Sequence, residues 1–137
     1  METKPVRDLL QQVIGTPLRE IPDHFVTAYA NGDFLSIHND GNSGSQAWII
    51  NLSKDWAEEH GGQLKFTCAE GRSFNPKFNS LITFNTRPSD LPHTVLPVKA
   101  GPRQERPRFA ITGWYMAGDD QFSEAERQQN NLMRERL

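Results

Sequence analysis

Cysteine is almost missing from this chain. Cys68 stands alone, so no internal disulfide can form and the fold must hold by packing and hydrogen bonding. Long hydrophobic runs are missing too, and the apolar stretches fall well short of the ~20 residues that a membrane-spanning helix needs. The opening METKPVRDLLQQ lacks the apolar centre of a secretory signal. Lys and Arg form no long run and the formal charge is −2, which argues against a nucleic-acid partner held through phosphates. These absences lead to an expectation of a cytoplasmic protein with neither a membrane nor a nucleic acid as partner. What remains is a chain of 137 residues, 36% hydrophobic and 23% charged, enough for one globular domain with a modest core.

The pattern of apolar residues divides the chain into three parts. Val6, Leu9, Leu10, Val13 and Ile14 recur at helical spacing before Gly15, which predicts an amphipathic helix over about 5–14. From about Pro22 to Met116 short apolar runs alternate with Gly, Pro, Asn and Asp clusters. Seven runs read as strands: HFVTAYA, DFLSIHN, QAWIINLS, GQLKFT, NSLITFN, HTVLPV and RFAITGWYM, with LREIP as an eighth ahead of them. No helical pattern separates them, so the expected class is mainly β, a sandwich or barrel with short flanking helices. Residues 123–137 open with a capping box, Ser123 with Glu126, and then carry few apolar residues, as in a weakly packed helix or a frayed tail.

Two side chains in YANGDFLSIHND could ligate a metal. His38 and Asp40 stand two residues apart and would share one face if the strand runs through Asp40. The spacing alone also suits a strand running into a turn. A third ligand is available in His93, at the entry to a later strand. Two imidazoles and one carboxylate form a facial triad that leaves coordination positions open, a set suited to non-haem Fe(II). His24 and His60 read as surface or loop residues. In RFAITGWYM, alternation puts Arg108, Ala110, Thr112 and Trp114 on one face and Phe109, Ile111 and Tyr115 on the other. An Arg on a packed strand is costly to bury without an anionic partner, which could be a structural carboxylate or a bound one. The triad ending at His93 favours the bound one.

The stretches YANGDFLSIHND, AWIINLSKDW, GGQLKF, FNPKFNSLITFN, PHTVLPV and RFAITGWY, in that order from Tyr29 to Tyr115, resemble the Fe(II)/2-oxoglutarate-dependent dioxygenases. The likeness is to the prolyl 4-hydroxylase branch, in particular the hypoxia-factor-type prolyl hydroxylases and their bacterial relatives. It implies a double-stranded β-helix, or jelly roll, as a single domain over 1–137 with its barrel at about 22–116. It implies His38, Asp40 and His93 as iron ligands and Arg108 as the partner of the far carboxylate of 2-oxoglutarate. Arg103 and Arg106 also follow His93, but they sit in the loop KAGPRQERP. Tyr29 and Thr112 would stand near the co-substrate and Trp114 at the substrate mouth. Asn51 falls where the relatives carry a second co-substrate tyrosine, and its reach is shorter. Phe34, Trp48, Ile50, Leu64 and Phe84 would keep the centre dry or simply form barrel core.

The implied chemistry is hydroxylation of an unactivated C–H bond, coupled to conversion of 2-oxoglutarate and dioxygen into succinate and carbon dioxide, with ascorbate as a stimulant. The implied substrate is a prolyl residue in a protein or peptide. A free amino acid or other small molecule is the alternative, and a non-catalytic jelly-roll binding module is an alternative of another class. The family pattern has more chain ahead of its first motif, so this chain reads as truncated or as a minimal version. An open sheet edge would then be covered by a second copy in a homodimer.

Overall fold

A computed structural model describes residues 3–68, 70–87, 91–99 and 106–134. Helix α1 (Lys4–Ile14) carries Pro in its first turn, where no hydrogen bond is lost, and ends at Gly15 in the left-handed conformation, φ 71°. Eight strands follow: β1 (Leu18–Tyr29), β2 (Leu35–His38), β3 (Gln46–Asn51), β4 (Leu64–Phe66), β5 (Ser73–Phe74), β6 (Ser80–Asn85), β7 (His93–Val95) and β8 (Arg108–Ala117). A turn of 3-10 helix, Glu58–His60, precedes β4, and α2 (Glu124–Arg134) follows β8. The strands form two four-stranded sheets in the orders β1-β8-β3-β6 and β2-β7-β4-β5, antiparallel throughout. Each sheet thus draws strands from both ends of the chain, which is the interleaving of a jelly roll.

The strands differ from the sequence reading in three places. LREIP and HFVTAYA are one strand, β1, because Pro22 lies where the register against β8 shifts between Glu20 and His24. β1 is also an edge strand, and edges and bulges are where a sheet tolerates proline. The short β5 carries no periodic signal and exists because it pairs with β4. HTVLPV contributes only its first three residues to β7. The loop KAGPRQERP, including Arg103, lies largely outside the described residues.

Alternation along β3 sorts the core into two layers. Trp48 and Ile50 point to the outer face of the larger sheet and pack with Leu10 of α1, Leu18 and Tyr115. Gly113 makes this possible, since a Cβ there would lie 2.3 Å from Cζ2 of the Trp48 indole. Between the sheets sit Ile49, Leu64, Val95 and Ala110, flanked by Tyr29, Phe66, Ile82 and Phe84. Each fully buried aliphatic side chain of this kind contributes about 1.5–3 kcal/mol. Leu64 and Phe84 therefore hold the inner positions expected of them. Trp48 and Ile50 do not, and Phe34 is exposed rather than near the barrel centre. On α1, Leu10 is buried while Leu9 and Val13 face solvent. Among the described residues no helix is long and apolar enough to cross a membrane.

Candidate active site

His38 and His93 come together because they are direct partners across the β2–β7 ladder, and their rings lie 4.3 Å apart between centroids. Asp40 arrives differently from the strand-alternation argument. β2 ends at His38, and the chain turns back through Asn39 and Asp40. The Asn39 side chain accepts from the Gly41 N–H at 2.7 Å, and the Asp40 carbonyl accepts from the Ser43 N–H at 2.9 Å. Such side-chain-to-backbone bonds are what let Asn and Asp build tight turns. The turn aims the Asp40 carboxylate at both imidazoles, with Oδ1 at 3.4 Å from His38 Nε2 and Oδ2 at 3.2 Å from His93 Nε2.

Each ring is fixed from behind in the same way. His38 Nδ1 lies 2.8 Å from the Ser36 carbonyl and His93 Nδ1 lies 2.8 Å from the Leu91 carbonyl. A carbonyl only accepts, so Nδ1 carries a proton in both rings and Nε2 is the ring atom turned to the carboxylate. Positive charge belongs between each Nε2 and the anion, supplied by an imidazolium proton or by a metal ion that takes its place. Burial would raise the Asp40 pKa, but hydrogen bonds from His38 and His93 outweigh it and hold the carboxyl far below the usual carboxylate range. The hydrogen bond to Asp40 in turn raises the pKa of His38 against the effect of burial. The ligand atoms of the three residues all lie within 4.8 Å of one another. Phe66 and Phe84 pack on His93, with ring centroids at 5.7 and 5.0 Å, and shield it from water.

The cluster opens into a cavity of about 520 Å³ that Tyr29, Ile49, Thr112 and Trp114 also line. Thr112 and Trp114 thus join the three ligand candidates, as the alternation of β8 requires, and Tyr29 joins them from β1. Arg108 and Asn51 are buried behind Tyr29. The Arg108 guanidinium lies 5.4 Å from the centroid of the Tyr29 ring, and burial lowers its pKa while the charge of Tyr29 opposes that. Burial likewise raises the pKa of Tyr29, with Arg108 opposing. Asn51 donates to Ser80 Oγ at 3.0 Å and accepts from Arg108 Nη2 at 3.4 Å. No carboxylate among the described residues pairs with Arg108, and its Nε is buried with no acceptor. Gly62, at φ 70°, gives the stem of Arg108 its room, because a Cβ there would lie 2.8 Å from Arg108 Cδ.

The cavity wall also holds residues that sequence reasoning passed over. His24, read as a surface residue, lines the mouth, while His60 caps a local turn by accepting from the Ala57 N–H at 2.9 Å. Phe25 lines the mouth and meets Trp114 at 5.7 Å between centroids. Its signal was its odd-numbered parity with Tyr29 on β1. Asn130, from α2, lines the mouth without any sequence signal.

An eight-stranded jelly roll with two imidazoles and a carboxylate converging in its interior defines a metal-dependent class of protein. The chain belongs to the 2OG-Fe(II) oxygenase superfamily, whose family model matches residues 24–116. That family uses Fe(II), 2-oxoglutarate and dioxygen. Among solved structures, a prolyl-4-hydroxylase from Pseudomonas putida is 25% identical with a TM-score of 0.64, over 82% of this chain and 60% of that one. A Trichoplax adhaerens prolyl hydroxylase, in complex with a hypoxia inducible factor oxygen degradation domain peptide fragment, is 23% identical with a TM-score of 0.65, over 92% and 58%. A prolyl 4-hydroxylase from Phytophthora capsici shares the fold at 18% identity and a TM-score of 0.60, over 99% and 50%. This chain therefore spans only 50–60% of the length of these structures. Comparison with curated proteins gave no match. The residues present fit the family's groups. The inward Nε2 atoms and carboxylate suit Fe(II), and an unpaired buried guanidinium suits the anionic end of a dicarboxylate.

Proposed function

We propose that the chain is an Fe(II)- and 2-oxoglutarate-dependent dioxygenase that hydroxylates an unactivated C–H bond of a prolyl residue in a peptide, releasing succinate and carbon dioxide. The observation that carries this reading is Arg108. A buried cation without a counter-charge costs several kcal/mol, and a dicarboxylic co-substrate supplies the charge that no described residue supplies. His38, Asp40 and His93 would hold the iron, and the bound iron with its co-substrate supplies the oxidising chemistry. The chain's own residues do the rest. Arg108 grips the far carboxylate, with Tyr29 beside it and Asn51 bracing the guanidinium. Phe66 and Phe84 exclude water from His93. Trp114 and Phe25 form an aromatic rim at the opening where a substrate enters. The prolyl substrate is supported by the named activity of the similar structures, one of them bound to a peptide.

The test is succinate formation from 2-oxoglutarate with Fe(II), with and without a proline-containing peptide. Turnover stimulated by the peptide, with hydroxyproline in the product, is the expected result. Turnover indifferent to peptides points to a small-molecule substrate. Absence of any 2-oxoglutarate consumption, despite metal and co-substrate binding, leaves a binding module.

A further inference from the structure

The turn that aims Asp40 is held from outside the barrel by one side chain. Arg87, just beyond β6, donates twice to the Gly41 carbonyl, from Nε at 3.1 Å and from Nη2 at 2.6 Å. Gly41 directly follows Asp40, so the grip falls within the turn, on the second peptide group after the ligand. The same guanidinium reaches the C-terminal segment. Nη1 donates to the Gln121 carbonyl at 2.9 Å, Nη2 pairs with Glu126 at 2.9 Å, and the plane lies 5.5 Å from the Phe122 ring. Thr86 reinforces this seam, donating its hydroxyl to the Gly44 carbonyl and its N–H to the Ser45 carbonyl. α2 then returns to the same turn. Asn42 donates to Gln129 Oε1 at 3.0 Å, and Asn130 donates to the Asn42 carbonyl at 3.0 Å while lining the metal cavity.

A guanidinium spends several rigidly spaced donors here on main-chain carbonyls of two segments far apart in sequence. That is a use for which its planar fork is suited and an ammonium is not. A surface tether for α2 needs only the pair with Glu126. The doubled bond to Gly41 adds nothing to α2 and acts on the orientation of Asp40. We propose that Arg87 is a positioning residue that sets the aim of Asp40 from outside the barrel, beside the seam where α2 docks. The proposal rests on the metal reading given above. Partners behind a ligand commonly govern metal affinity by about 10–100-fold.

The experiment uses the whole chain and Mn(II) alone as probe, titrated by electron paramagnetic resonance. Arg87→Ala should bind Mn(II) about 10–100-fold more weakly than wild type, with its near-ultraviolet circular dichroism retained. Glu126→Gln, which removes the charge of the half-buried pair with α2 and spares Gly41, should stay within about twofold of wild type, because it leaves the grip on Gly41 intact. Both variants should show faster amide exchange in α2. Should Arg87→Ala fail to fold, Arg87→Lys keeps the charge but not the doubled grip, and it should still bind Mn(II) about tenfold more weakly. A folded Arg87 variant with wild-type Mn(II) affinity overturns the proposal and leaves Arg87 as an anchor for α2. Wild type that binds no Mn(II) overturns the metal reading itself, and this inference with it.

Discussion

Tyr29 and Arg108 face each other as direct partners across the β1–β8 ladder, and the guanidinium lies over the tyrosine ring. Arg108 is buried and Tyr29 half-buried on the inner face of the larger sheet, and no carboxylate among the described residues meets the cation. Arg108→Ala should therefore weaken 2-oxoglutarate by about a hundredfold, the scale of a charge-assisted hydrogen-bond pair. Mn(II) affinity should change little, because Arg108 touches no ligand. Calorimetric titration of each in turn checks this. Equal losses of metal and co-substrate would make Arg108 a structural residue.

His38→Ala and Asp40→Ala should each reduce Mn(II) affinity by at least about a hundredfold, since each removes a ligand rather than its support. The two variants need not be equally stable. Asp40→Ala removes the anion that both imidazoles face, and His38→Ala leaves one imidazole partner in place. Retained Mn(II) affinity in either would move the metal elsewhere.

Glu126 supplies a pH dependence outside the metal cluster. Burial would raise its pKa, but the Ser123 N–H and the Arg87 charge outweigh this and lower it below the ordinary 4.5. A lowered folded pKa means a contribution present above the unfolded value and lost as pH falls through the folded one. The melting-temperature advantage of wild type over Glu126→Gln should thus hold at neutral pH and shrink below 4.5. An advantage of constant size from neutral pH to pH 3 would contradict the assignment.

Gly113→Ala should lower stability by about 1–3 kcal/mol, the usual cost of forcing extra volume into a packed site. Its new methyl would meet the Trp48 indole at 2.3 Å and His24 Cβ at 3.0 Å. Chemical denaturation measures the change. A neutral result would mean that the indole shifts freely within the layer beneath α1.

The jelly roll was legible because period-two alternation survives in most strands, and β8 carries it throughout. Arg108, Thr112 and Trp114 all fall on the inner face as read. The same parity on β3 sets Trp48 and Ile50 opposite to Ile49 and Asn51, and applying it would have kept both away from the site. Asp40 joined the cluster through a turn, which alternation does not describe. α2 lacked an apolar stripe because polar bonds from Arg87 and Asn42 hold it, and such long-range bonds leave no local period. Arg87 was invisible for the same reason. Its partners are mainly backbone carbonyls, which every residue type provides.

That anonymity has a consequence at the metal cluster. The two groups that orient the imidazoles belong to the main chain at positions 36 and 91, each two residues upstream of its histidine. Replacing those side chains would leave both oxygens where they are. Divergence can therefore proceed freely on either flank of the cluster, reshaping what enters the cavity while the two rings keep their bearing.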